Sequence, residues 1–186
     1  MARNLLKNPN GDEGMAFWKL TKNGGNGWKV ENMPEDHRYN FFAGAVSKYF
    51  TTSFELCLKT QEIDLVAEGY DPRVLDTQKV TVTVQDWYSG RTDCGCTYKV
   101  KVNLLDKNRK ILEVFSPAEV SLDPAIHNCS WRQVTHTVTV NPGLRYITFE
   151  HGGKDNKRWQ GWYGVRVTGS SVTVDLENAI LIMHSY

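Results

Sequence analysis

Val80, Val82 and Val84 alternate strictly with Thr81, Thr83 and Gln85, and Asp86 and Trp87 close the run. A period of two with β-branched residues on one side is the pattern of a strand with one buried face, and it gives a helix no apolar stripe. The same period returns along the chain. Tyr98, Val100, Val102 and Leu104 alternate with polar partners, Val134 to Val140 and Leu144 to Phe149 repeat the pattern, and a last run from Val165 to Val174 breaks at Gly169-Ser170. Turn chemistry separates these runs, as in Asp106-Lys107-Asn108-Arg109 and Asn141-Pro142-Gly143. Helical period is confined to a single turn around Arg73 to Asp76. About ten short strands with turns every 8–12 residues predict an all-β chain folded as an antiparallel β-sandwich.

Near the N-terminus, Phe17 to Leu20 and Trp28 to Glu31 bracket Asn23-Gly24-Gly25-Asn26-Gly27, which reads as a hairpin. The stretch His151 to Gly164 holds four glycines and two tryptophans. It is too glycine-rich for a helix interior and too aromatic for a plain linker, so it reads as a loop between two strands. Trp159 stands at its tip as the candidate ligand contact. Trp162 and Tyr163, which lead into the final strand, read as core or loop support, and Trp87 as a buried strand end.

The 186 residues suffice for one sizeable core. A net charge of +1 with scattered lysines and arginines argues against a nucleic-acid surface. No apolar run approaches the ~20 residues of a membrane span, and no leader pattern opens the chain. Cys57, Cys94, Cys96 and Cys129 are too irregular for a disulfide scaffold, and Cys94-Gly95-Cys96 lacks zinc spacing and a histidine pair. No metal and no cofactor is expected, and free thiols place the chain in the cytosol. Catalysis is not expected either. Glu68 and Glu150 form no selected carboxylate pair, the cysteines have no histidine partner, and His136 and His151 on β segments read as structural. Asn128-Cys129-Ser130 fits a glycosylation acceptor that a cytosolic chain would not present to the machinery.

Several ordered stretches carry a resemblance: Arg3 to Pro9; Gly24-Gly25 with Gly27 to Glu31; Tyr49-Phe50 with Ser53-Phe54; Ile63 to Leu65 with Ala67 to Tyr70; Asp86 to Arg91 with Asp93; Phe149 to Gly153 with Asp155; then Trp159, Gly161 to Gly164, Arg166 to Thr168 and Ser170 to Val172. In these the chain resembles the F-box-associated domain of the sugar-recognising F-box proteins, the glycoprotein-specific ubiquitin-ligase adaptors. The resemblance covers about residues 3–174 and implies a jelly-roll-like β-sandwich. It further implies a lectin-like role, binding the chitobiose core of high-mannose N-glycans on misfolded glycoproteins in the cytosol, between loops at one end of the sandwich. Carried over residue by residue, the sugar-binding positions are Trp159, Phe54, Asp93, Arg158 and Gln160, with Phe50 and Asp155 as further candidates.

The family's best sugar binder reads Tyr-Trp-Lys where this chain reads Arg158-Trp159-Gln160. Loss of the first aromatic removes apolar contact worth about 1 kcal/mol, and Gln160 lacks the charge. Weaker binding, an altered glycan preference, or a protein-interaction role follows as the alternative. Gly152, Gly153 and Gly161 are candidates for freeing backbone amides toward sugar hydroxyls.

The domain is expected over residues 1–175, with 176–186 as an apolar C-terminal extension suited to an edge strand or a two-fold contact between copies. The chain opens where the domain opens. The resemblance thus implies either a domain trimmed from a longer protein or a stand-alone, receptor-like relative, and a ligase-scaffold partner only where an F-box precedes it.

Overall fold

The computed structural model describes residues 2–34, 46–126 and 130–176. Two antiparallel sheets enclose one main core. Strands β1 (Lys19–Asn23), β4 (Cys57–Asp64), β6 (Cys96–Leu105), β7 (Ile111–Phe115), β8 (Val120–Leu122) and β10 (Tyr146–Asp155) form the first sheet, in the order β1-β4-β10-β6-β7 with β8 also on β6. Strands β2 (Lys29–Asn32), β3 (Lys48–Thr51), β5 (Val80–Ser89), β9 (Arg132–Val140) and β11 (Arg166–Leu176) form the second, in the order β2-β3-β11-β5-β9. One helical turn, α1 (Pro72–Leu75), is capped by Asp71, whose carboxylate accepts from Arg73 N–H at 2.8 Å. The β-sandwich expected from the alternating runs is the fold observed.

The alternation in β5 does what its pattern requires. Val80, Val82 and Val84 are buried, while Thr81 and Thr83 pair across the outer face with Thr139 and Thr137 at 2.8 and 3.2 Å. Each buried valine contributes about 1.5–3 kcal/mol of transfer free energy, and each threonine pair a fraction of 1 kcal/mol. The break at Gly169-Ser170 appears as a register shift between Thr168 and Ser171 within a continuous β11. Trp87 departs from expectation: it lies half-buried on the outer face of the second sheet, because the residues on either side of it, Asp86 and Tyr88, take the inward positions.

The Asn23–Gly27 turn does not close a hairpin. β1 pairs with β4 and β2 with β3, so the turn carries the chain from one sheet to the other. Two strands flanking an Asn/Gly turn match a hairpin locally, and only long-range pairing decides between the two outcomes. The stretch from His151 onward is also less of a loop than its glycines imply. Gly152 and Gly153 lie within β10, pairing with Cys57 and Leu58 on one side and with Tyr98 and Lys99 on the other. A Cβ on either would meet the carbonyl oxygen of Cys57 or Thr97, so the glycines permit strand geometry (φ 153° and 155°) rather than a loop. Leu176 ends β11. Residues 177–186, which hold most of the expected C-terminal extension, and Asn128-Cys129 lie outside the described residues.

Candidate functional site at the loop end of the sandwich

Four connections meet where β4 begins and β10 ends: the β1–β2 turn, the β3–β4 loop, the β5–β6 loop and the β10–β11 loop. Backbone bonds tie them. Asp155 N–H donates to Ser53 O at 3.0 Å and Asn156 N–H to Gly95 O at 2.9 Å, so the β10–β11 loop is fastened to two neighbours at its start. Gly164 N–H to Thr52 O and Thr52 N–H to Val165 O fasten its exit.

Within this frame the loop has a fixed shape. One carboxylate oxygen of Asp155 accepts from Lys157 N–H at 2.8 Å and from Arg158 N–H at 2.6 Å. Arg158 adopts φ 55° and Gly161 φ 100°, two left-handed residues flanking Trp159 and Gln160. Arg158 lacks the freedom of glycine there, and the Asp155 bonds offset the cost of its conformation. Trp159 is thereby lifted out and is 41% exposed, with its ring edge-on to Tyr163 at 5.3 Å. Tyr163 is in turn covered by the Arg91 guanidinium at 4.7 Å.

Each expected site residue has a definite place. Trp159, Arg158 and Gln160 are exposed on the loop tip. Phe54 is half-buried on the β3–β4 loop, against Gly25 of the β1–β2 turn. That same turn reaches the tryptophan loop, since Gly161 N–H donates to Asn26 Oδ1 at 2.7 Å and Trp162 Nε1–H to Gly27 O at 3.0 Å. The turn therefore joins the loop of Phe54 to that of Trp159, and Trp162 is loop support.

Asp93 is exposed, but both its oxygens take a fork from Arg91 at 2.7 Å, which holds its carboxyl below the usual carboxylate range. Phe50 is fully buried, edge-on to Trp18 and Trp28, because it takes the inward position of β3; it cannot meet a ligand. Asp155 is 1% exposed and shapes the loop from beneath rather than facing solvent. The amides of Gly152 and Gly153 belong to the ladder and that of Gly161 to Asn26, so none of the three is free for a sugar.

Tyr163 supports the loop, as its place before the final strand implies, while Arg91 and Asn26, which complete the brace beneath Trp159, are not expected from the sequence. The Arg91-Thr92-Asp93 spacing in a turn was a signal for the first. The Asn26 bond and the Arg91–Tyr163 contact span 135 and 72 residues, which no local pattern encodes.

A second polar assembly lies between the sheets. Asp86 accepts from Tyr98 O–H at 2.5 Å, from Ser170 O–H at 2.7 Å, and meets His151 Nδ1 at 2.6 Å. Lys59 is fully buried beside it, its Nζ 3.0 Å from the Trp18 ring centre and 3.7 Å from that of Phe50. Burial holds Lys59 well below the ordinary lysine range and pushes His151 down to about 4. Burial and then Asp86 raise Tyr98 well above its usual value. Among the described residues no group of His, Cys, Asp and Glu is arranged to hold a metal, and no helix is long and apolar enough to cross a membrane.

Comparison with known proteins settles the family. The model of the F-box associated region matches residues 1–174. This chain belongs to that family. Among curated relatives of the family, it is 44% identical to F-box only protein 6 of Rattus norvegicus over 180 residues, covering 96% of this chain and 63% of that protein. It is 47% identical to F-box only protein 6 of Homo sapiens, covering 92% of this chain and 59% of that protein. F-box only protein 2 of Bos taurus is 46% identical, with 93% of this chain and 59% of that protein covered. The chain thus spans about three-fifths of the length of these relatives.

Among solved structures, the enzymatically active domain of bacteriophage CBA120 tailspike protein 4 aligns with a TM-score of 0.59 at 13% identity, covering 92% of this chain and 21% of that one. The CBM22-1 xylan-binding domain from Paenibacillus barcinonensis Xyn10C aligns with a TM-score of 0.50 at 10% identity, covering 93% and 95%. At such identities these neighbours establish the shared β-sandwich alone.

Proposed function

We propose that this domain is a carbohydrate-recognition module, without catalysis, that binds the chitobiose core of high-mannose N-glycans. In its family setting it selects glycoproteins in the cytosol for ubiquitination, with a ligase scaffold as partner only where an F-box precedes the domain. The observation that carries the reading is the exposed indole of Trp159, raised on a loop whose start and exit are both stapled. Sugar binding needs a flat apolar surface for the C–H side of a pyranose and rigid polar groups for its hydroxyls. Trp159 supplies the surface, Phe54 a second apolar contact across the β1–β2 turn, and Gln160, Arg158 and Asp93 the polar groups. A pre-shaped loop lowers the ordering cost of binding.

The test is a calorimetric titration with chitobiose, paired with a glycan array. Saturable binding by the native chain, lost in Trp159→Ala with the fold retained, supports the reading; no binding by the native chain removes it.

One observation favours a second reading. Asp93 is already forked by Arg91, and Arg158 and Gln160 replace an aromatic and a cation. A loop end so altered suits a protein partner instead. In that case pull-downs of partner proteins persist after enzymatic removal of their N-glycans, whereas the carbohydrate reading requires their loss.

A further inference from the structure

On the outer face of the second sheet, beside the loop end, lies a cavity of about 240 Å³. Tyr49 and Trp131 line it with rings 5.8 Å apart and tilted by 56°, and Arg91, Arg166, Ser89 and Thr92 complete its wall. Arg166 is 6% exposed and is fixed by donating to Gly164 O at 2.5 Å and Trp162 O at 2.8 Å. Its donors are therefore set by the exit of the same loop that raises Trp159.

Two features narrow what fits. The volume lies below the roughly 300–1,000 Å³ typical of drug-sized sites, which leaves room for about one six-membered ring. The charges are balanced in place. Asp93 forks Arg91, while Glu31 lies 4.0 Å from Arg166 and accepts from Tyr49 O–H at 2.7 Å. An anion entering here would have to displace a resident carboxylate, while a neutral ring rich in hydroxyls needs only donors, acceptors and a flat wall.

The cavity also joins the proposed sugar platform. Arg91 lines the cavity on one side and covers Tyr163 on the other, and Tyr163 braces Trp159. Two ring contacts separate the two places.

We propose that this cavity is a second saccharide subsite, holding one neutral hexose further along the glycan whose first sugars lie on Trp159. The proposal rests on the carbohydrate reading above. The domain then reads an oligosaccharide at two points, with the Arg91–Asp93 fork between them.

Fluorine NMR of the full chain labelled with 5-fluorotryptophan tests this, with signals assigned through Trp131→Phe and Trp159→Phe. Chitobiose is expected to shift the Trp159 signal alone. The pentasaccharide that extends it by three mannoses is expected to shift both signals and to bind about 10-fold more tightly, which corresponds to about 1.4 kcal/mol. Thr92→Phe, which fills the cavity from its exposed rim, is expected to bring pentasaccharide affinity down to that of chitobiose and to leave chitobiose unchanged. If the pentasaccharide moves Trp159 but not Trp131, the subsite is overturned while the primary reading stands. If it moves neither, both fall. If sodium sulfate moves Trp131 and sugars do not, the cavity is an anion site and the proposal is overturned.

Discussion

The sealed polar cluster around Asp86 and the exposed loop end around Trp159 use similar chemistry in opposite surroundings. Each has a carboxylate, basic side chains and aromatic rings. In the core, Asp86 accepts from Tyr98 and Ser170 and meets His151, all out of water, and Lys59 lies over Trp18. At the loop end, Asp93 meets Arg91 in solvent, with Arg91 and Asp93 side chains 40% and 47% exposed. The strongest perturbations of Lys59, His151 and Tyr98 fall in the core. Perturbed titration usually flags function. Here it marks a structural network that no ligand reaches, and the ordinary-looking surface loop carries the candidate site. Burial makes a polar group costly to lose, and exposure makes an aromatic one available.

Several changes break or sharpen this contrast. Asp86→Ala has the largest expected effect, because it leaves Tyr98, Ser170 and His151 without their shared acceptor. A loss of about 3–5 kcal/mol in chemical denaturation is expected, and a loss below about 1 kcal/mol would show the cluster to be dispensable. Acid acts on the same cluster. Burial lowers His151 from 6.5 to about 4, so the unfolded chain binds more protons between those values and stability falls as pH drops through that window. The decline is expected to be on the order of 2 kcal/mol at pH 5 and to be abolished in a folded His151→Gln variant.

Trp159→Ala reverses the pattern. Stability should stay within about 0.5 kcal/mol of the native chain, while chitobiose affinity falls about 30-fold, or about 2 kcal/mol. Smallest is the double change Arg158→Tyr with Gln160→Lys, which gives the loop the Tyr-Trp-Lys sequence of the family's best sugar binder. A tightening of about 5-fold, near 1 kcal/mol, is expected by titration, with no change in melting temperature.

The alternation of β5 and β6 was sufficient to read the sandwich, because period-two burial is a local property of a strand. The partner of each strand was not local. The Asn23–Gly27 turn looked like a hairpin yet joins two sheets, and Gly152-Gly153 looked like a loop yet sits in mid-ladder between β4 and β6. Glycine marks a backbone need without saying whether a turn or a close strand neighbour creates it. At the candidate site, the exposed position of Trp159 was legible from its setting in a glycine-rich stretch. Phe50 and Asp155 matched the family pattern as well as Trp159 did, and only burial separates them from it. The Arg91–Tyr163–Trp159 stack depends on tertiary packing between two loops, which leaves no trace in either loop alone.

The most direct measurement is the crystal structure of this chain with chitobiose. A pyranose lying with its C–H face about 4 Å from the Trp159 indole, between the tryptophan loop and Phe54, is the expected result. A sugar bound at another surface, with the indole still bare, would contradict the assignment of this loop end as the recognition site.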